Sequence, residues 1–272
     1  MRVSLVTPTL SRVGYLKECV ESVVQQDYAD LEHIVVDGAS TDGTVELLQS
    51  LGKQYGNRLR WLSQQDRGIS EATNRGFKMA TGEILGWIGS DDRLAPGAVA
   101  RVAGYFTEHP SAQWLYGGYE EIDAAGKFRR FKLAQPYEHK RFIRTGYICG
   151  PSVFVRAGLA RQVGPIREDL KYCMDFEWCL RMAAIAEPHR LDAVLAQFRW
   201  HAGGITMRMR SAQIDEGQTI SLSYATNWLE RAHIRAFYRK AKTWAWIKRL
   251  GWRIHQGGAA GLWQPTRSKQ PL

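Results

Sequence analysis

The 272-residue sequence predicts an α/β fold: a mostly parallel sheet flanked by helices, followed by a basic helical C-terminal extension. Two observations carry this. Short apolar runs rich in Val, Ile and Leu alternate with amphipathic segments of helical length as far as Asp123, which implies a sheet covered on both faces. The net charge of +10 sits entirely at the end of the chain. Arg231–Leu272 holds ten Lys/Arg and no Asp/Glu, while the preceding residues hold 27 basic and 27 acidic side chains.

Taken in order, VSLVTPT reads as a strand. GYLKECVESVVQQ reads as a helix with Leu16, Cys19, Val20, Val23 and Val24 on one face. LEHIVVDG is a second strand, and STDGTVELLQSLGKQYG a helix with Thr41 or Asp42 as N-cap. LRWLSQ, SEATNRGFKMATG and EILGWIG continue the strand–helix–strand alternation, followed by the helix LAPGAVARVAGYFTEHP and the strand QWLYGGYEEID. The pattern then loosens. GKFRRFK reads as an edge strand or hairpin arm, and GYICGPSVFVRAGL as a strand and turn. MDFEWCLRMAAIAE is an amphipathic helix with Phe176, Cys179, Leu180 and Ala183 at core spacing and two acids in its first turn. VLAQFRWHAGGIT is a strand running into a glycine loop, and from about Ser211 a long helical stretch leads into the basic tail.

Composition narrows the function classes. A 44% hydrophobic, 11% aromatic chain is globular, and no apolar run approaches the ~20 residues that span a bilayer. MRVSLVTPTLSRVGYL reads as a strand opening the fold, with no secretory signal. Cys19, Cys149, Cys173 and Cys179 show no C-x-x-C spacing, so a reducing cytoplasm is expected and the four read as buried or half-buried side chains. TPTLSRVG follows the first strand where a dinucleotide fold needs G-x-G-x-x-G, and no G-x-x-x-x-G-K-[ST] occurs, so no Gly-rich phosphate cradle is present.

Polar clusters follow successive strands: Thr7-Pro8-Thr9, Asp37-Gly38-Ala39-Ser40, Gln65-Asp66-Arg67-Gly68 and Ser90-Asp91-Asp92. If the strands are parallel, all four fall on the rim where such sheets bind ligands. Asp91 and Asp92 pose a physical question. Adjacent carboxylates raise each other's pKa unless a cation or donors offset them, so either the turn is solvated or something positive sits there.

The runs VTPTLSRVGYLKECVESVVQQDY, VDGASTDGT and DRGISEATNRGFKMATGEILGWIGSDD, with the later MDFEWCLR and FRWHAGGIT, resemble the inverting glycosyltransferases of family 2. The likeness runs in order from Val3 to Thr206. It implies a GT-A catalytic domain over residues 1–210, with a nucleotide-binding part to about 123 and an acceptor-binding part over 124–210, then the extension 211–272. It further implies transfer from a nucleotide-diphosphate sugar, with UDP favoured, to an acceptor hydroxyl, assisted by Mn2+ or Mg2+. Asp92, then Asp91, with His201 a further candidate, would hold the ion. Pro8, Thr9, Asp37, Asp66, Asn74, Ser90 and Asp91 would contact the nucleotide sugar, and Asp175 would be the general base, with Glu177 its rival. Gly89 stands where many relatives carry Asp or Asn.

In the tail, Phe237, Ala241, Trp244, Ile247, Gly251 and Ile254 share one helical face, with Arg239, Lys242, Arg249 and Arg253 on the other side. A basic, tryptophan-bearing amphipathic helix suits an anionic membrane surface; packing on the catalytic domain is the alternative. The expectation is a cytoplasmic enzyme, peripheral at the inner face of the plasma membrane, acting on a glycan or lipid-linked acceptor in bacterial surface polysaccharide or lipid-linked glycan synthesis. No nucleic-acid partner is expected. A sugar-phosphate nucleotidyltransferase would want a Gly-rich basic loop near the N-terminus. A non-enzymatic glycan or nucleic-acid binder would leave the five aspartates unexplained.

Overall fold

Nineteen segments order the chain in the structure, a computed structural model that describes residues 1–257, with side chains to residue 246. The first part runs β1 (Val3–Thr9), α1 (Val13–Val24), β2 (Leu31–Asp37), α2 (Thr44–Tyr55), β3 (Leu59–Ser63), α3 (Ile69–Met79) and β4 (Ile84–Trp87). Next come β5 (Arg93–Leu94), α4 (Ala98–Glu108), β6 (Trp114–Ile122), β7 (Phe128–Lys132), α5 (His139–Thr145), β8 (Val153–Arg156) and α6 (Ala157–Val163). The last part is α7 (Met174–Ile185), β9 (His189–Arg199), α8 (Ile205–Arg208), α9 (Arg210–Ser223) and α10 (Trp228–Gly257).

The strands form one mixed sheet in the order β3-β2-β1-β4-β8-β6-β9-β5, with β7 added beside β6. Parallel pairing holds for β3-β2-β1-β4, where Thr9 lies level with Asp37 and Asp37 level with Ser63. Beyond β4 the pairing is mixed: β8 is antiparallel to both β4 and β6, and β6 is parallel to β9. Every residue of β1 and β2 is buried, because helices cover both faces of this half. Alternation along β1 divides the core: Val3 and Leu5 belong to the buried cluster that includes α4, whereas Val6 faces α3 and belongs to the cluster that includes Leu180 and Ile214. Chain order reverses between β1 and β4, which opens a crevice at their carboxyl ends.

Three local expectations are refined. Asp42 does receive the backbone N–H of Thr44, but at 3.2 Å from one residue before the helix-flanking Gly43. Ala183 is only half-buried, while Phe176, Cys179 and Leu180 are buried as expected. The long C-terminal helical stretch breaks at 224–227, where Asn227 Oδ1 accepts from Glu230 N (2.9 Å) and Glu230 accepts from Thr226 N (2.9 Å), a reciprocal capping arrangement that starts α10.

The boundary at residue 210 does not divide the core. Ile214, Ile220, Ile234 and Tyr238 belong to the same buried cluster as Trp178 and Leu180, and Tyr238 shares a hydrogen bond with Ser221 (2.9 Å). The expected apolar face of α10 is also split. Phe237 and Ala241 pack on the domain, whereas Trp244 is 53% and Trp246 63% exposed. Ile247, Gly251 and Ile254 lie outside the residues whose side chains are described. All four cysteines are free, three of them buried and Cys149 half-buried.

Candidate active site

The Asp91–Asp92 turn meets the Arg199-Trp200-His201 segment because β5 pairs antiparallel with β9, with Arg93 opposite Gln197. The two residues before β5 therefore face the residues that leave β9. Arg199 N donates to Asp92 Oδ1 (2.8 Å), and His201 Nε2 lies 3.0 Å from Asp91 Oδ2. Gly89 explains itself: a Cβ there would sit 3.0 Å from an oxygen of each carboxylate. The residue absent from this chain's motif would have filled the space between the two acids.

Something positive does sit beside the pair, and it comes from the protein. Arg199, its side chain 1% exposed, donates to the Asp91 carbonyl (2.7 Å), to Ala124 O (3.1 Å) and to Glu18 Oε2 (2.6 Å), with its guanidinium over the Tyr15 ring. Arg12 donates to Gly203 O (2.8 Å) at the same loop. The two acids separate in their titration. Burial, the largest influence, would raise Asp91, but the His201 contact, the Arg12 charge and a backbone hydrogen bond together hold its carboxyl below the ordinary range. Burial and the adjacent Asp91 charge push Asp92 well up, against the Arg199 contacts.

Asp175 opens α7 and lines the same cavity of about 450 Å³ as Asp91, Asp92 and His201. Burial raises its pKa to about 6, against the 2.8 Å hydrogen bond from Phe176 N. Gly150 makes the room: a Cβ there would lie 2.6 Å from Asp175 Oδ2 and 2.6 Å from Trp87. Cys149 lies within the field of both Asp92 and Asp175; burial first, then those charges, push its thiol well up. The rival Glu177 is turned elsewhere. It is buried, held by Arg181 at 2.9 Å, and absent from the cavity wall.

A residue that sequence reading missed fixes the start of α7. Glu216, on α9, accepts the backbone N–H groups of Lys171 (3.0 Å), Tyr172 (2.9 Å) and Cys173 (2.8 Å), immediately before Asp175. No local pattern announces it, since donors and acceptor are over forty residues apart.

The remaining candidates other than Asn74 lie along the parallel rim, and all of them are outside that cavity. Pro8 and Thr9 end β1, and Thr9 Oγ1 is buried without a hydrogen-bond partner among the described residues. Asp37 is fully buried and accepts from Ser63 Oγ (2.7 Å), Ser40 N (3.0 Å) and Ser40 Oγ. It is not a helix cap, because α2 begins only at Thr44. Asp66 approaches closely enough that a Cβ on Gly38 would lie 2.7 Å from its oxygen, and burial raises its pKa. Ser90 is buried in the turn. Asn74 is not brought to the rim. Its amide is occupied by Ile166 O (2.8 Å), Ile166 N (2.9 Å) and Glu168 (3.2 Å), which ties α3 to the segment ahead of α7.

Among the described residues no group of three or more His, Cys, Asp or Glu forms a ready metal cage. The convergence of Asp91 and His201 with Asp92 alongside instead fits an ion that takes one or two protein ligands and completes its shell with phosphate oxygens and water, as Mg2+ and Mn2+ do.

Comparison with known proteins gives a consistent picture. The sequence model of glycosyl transferase family 2 matches residues 4–163. A PGL/p-HBAD biosynthesis glycosyltransferase of Mycobacterium bovis is 31% identical over 186 residues, covering 68% of this chain and 70% of the relative. The O-antigen biosynthesis protein RfbC of Myxococcus xanthus is 32% identical over 183 residues, covering 66% of this chain but 14% of that longer protein. Among solved structures, residues 1–349 of S. aureus TarS with UDP-GlcNAc superpose with a TM-score of 0.64 at 19% identity, over 94% of this chain and 75% of that one. The mannosyltransferase PcManGT of Pyrobaculum calidifontis, with GDP-Man and Mn2+, gives 0.67 at 19% identity, over 96% and 77%. The folded framework is the GT-A one.

Proposed function

Because the chain belongs to glycosyl transferase family 2, we propose that it moves a sugar from a nucleotide diphosphate to an acceptor hydroxyl with inversion, in surface polysaccharide or lipid-linked glycan assembly. The observation that carries this is one cavity in which an Asp91–His201 pair and an elevated Asp175 face a shared space. The nucleotide would lie over the strand ends, with Asp37 and Asp66 near the base and ribose and the orphan Thr9 hydroxyl satisfied by it. UDP is the base we favour.

Asp91, His201 and Asp92 would hold a divalent cation, which when bound supplies Lewis-acid charge to the diphosphate leaving group. Asp175 takes the proton of the acceptor hydroxyl at its free carboxylate oxygen, on the face away from the leaving group. Its elevated pKa makes it a stronger base than an exposed carboxylate while leaving it ionised at neutral pH. Arg199 keeps the Asp91–Asp92 turn in register by fixing a backbone carbonyl of the pair. The exposed Trp244 and Trp246 beside Arg239 and Lys240 would bring the enzyme to the cytoplasmic face of an anionic membrane.

A thermal-shift panel of UDP-, GDP- and dTDP-sugars with and without Mn2+ tests the reading. One nucleotide sugar should raise Tm by several degrees only with the metal. Equal shifts for all of them, or none, would refute a specific donor site.

A further inference from the structure

Helix α1 grips the segment that leaves β9 at three points. Arg12, at the N-cap, donates to Gly203 O (2.8 Å), and Glu18 accepts from Arg199 Nη2 (2.6 Å). Between them the Tyr15 ring centre lies 4.6 Å from that of His201 and 4.9 Å from the Arg199 guanidinium carbon. Residues three apart on a helix are neighbours on its surface, so Arg12, Tyr15 and Glu18 form one stripe, and it meets Gly203, His201 and Arg199, alternate residues of the other segment. The stripe is itself anchored. Ser11 takes a left-handed φ of 51°, with its N–H on Ser40 Oγ (2.7 Å), and Val13 N donates to Asp42 Oδ2 (3.2 Å). Glu18 also receives Arg93 Nε (2.9 Å), so one carboxylate ties α1 to both β5 and β9. An imidazole that serves a cation is ordinarily oriented by a hydrogen bond at its other ring nitrogen. Here His201 Nε2 faces Asp91, and among the described residues Nδ1 has no hydrogen-bond partner. The orientation of the ring therefore falls to packing, and the ring packed on it is Tyr15.

We infer that Tyr15 is a positioning residue that sets the His201 imidazole against Asp91, and that Arg12 and Glu18 hold the chain on either side of it. The inference rests on the reading of Asp91, Asp92 and His201 as holders of the cation and adds three residues outside that set. Tyr15 acts through its ring, since its hydroxyl makes no hydrogen bond among the described residues. A ring wedged between a buried guanidinium and the imidazole stops the imidazole from turning away from Asp91, and the cation–π contact fixes the wedge. Because α1 follows directly from the Pro8–Thr9 rim, the rim and the cation site share one neighbour.

The test uses the full chain with and without metal. Without metal, His201 is labelled with diethyl pyrocarbonate and read by peptide-resolved mass spectrometry, with the fully buried His33 as the check on folding. Tyr15→Leu should speed His201 labelling several-fold while His33 stays protected, and Tyr15→Phe should restore the original rate, because the ring and not the hydroxyl sets the imidazole. Arg12→Met, which frees Gly203, should speed His201 labelling as well. With Mn2+ and UDP, electron paramagnetic resonance of the free ion should show Tyr15→Leu binding Mn2+ about tenfold or more weakly, and Tyr15→Phe close to the unsubstituted chain. Unchanged His201 labelling in both Tyr15→Leu and Arg12→Met would overturn the inference. A Tyr15→Phe variant as impaired as Tyr15→Leu would overturn it too, by placing the effect in the hydroxyl. If the unsubstituted chain retains no Mn2+, the cation reading fails, whereas the metal-free labelling still decides what orients His201.

Discussion

Asp175 carries a burial-raised pKa of about 6, so a base role predicts a rate that falls as pH drops through about 6 and stays level toward neutrality. Asp175→Asn should lower transfer by roughly 10²–10⁴-fold with little change in donor affinity, measured by initial rates and nucleotide-sugar titration. Retained turnover would move the role elsewhere. Glu216 adds to the elevation of Asp175 through its charge. Glu216→Gln should therefore move the acid limb of the pH–rate profile to lower pH. It should also cost about 1.5–3 kcal/mol of stability, read from denaturant unfolding, because charged acceptors make the stronger hydrogen bonds. At this scale the site was partly legible. Asp91, Asp92, Asp175 and His201 stand in continuous motifs, and all four line one cavity. Arg199 was not singled out, because in RWHAGG only the histidine carries an obvious chemical signature, and its partners Asp91 and Glu18 lie 108 and 181 residues away, in a turn and on α1.

The elements of the first half are written in local patterns that survive folding. α3 shows how tightly: a Cβ on Gly76 would fall 2.3 Å from a Val6 methyl, so helix and strand touch backbone to side chain. Gly76→Ala should push α3 off β1 and destabilise by roughly 1–3 kcal/mol, as overpacked cores do, despite the better helix propensity of alanine. A neutral or stabilised melt would show that the contact relaxes freely. The second half was harder to read for identifiable reasons. β5 is two residues long, too short to give any periodicity, yet its pairing with β9 assembles the site. The α9–α10 break lacks Pro or Gly; its signal is the Asn227-x-x-Glu230 capping pattern, which a continuous helical periodicity masks.

For the whole molecule, the distribution of charge and aromatic surface gives the remaining prediction. No helix among the described residues is long and apolar enough to cross a membrane. Replacing Trp244 and Trp246 with Ala and Arg239 and Lys240 with Glu should reduce sedimentation with phosphatidylglycerol vesicles about tenfold or more, at roughly 1 kcal/mol per basic residue. Binding to neutral vesicles should be weak throughout, and unchanged binding of the variant to anionic ones would dismiss this helix as the anchor. Removing the chain from Arg231 onward would be a poorer test, because Ile234 and Tyr238 are part of the core.

Read alone, the residues specify a helix-covered sheet, the acidic rim and the basic tail, since strand periodicity, turn chemistry and charge are properties of neighbouring positions. Folding in three dimensions settles which groups share a space: Arg199 and His201 against the Asp91–Asp92 turn, Glu216 under the start of α7, and α8–α10 walling part of the cavity. Those contacts join positions 43 to 110 residues apart, through strand pairing and packing whose partners no local window of sequence contains.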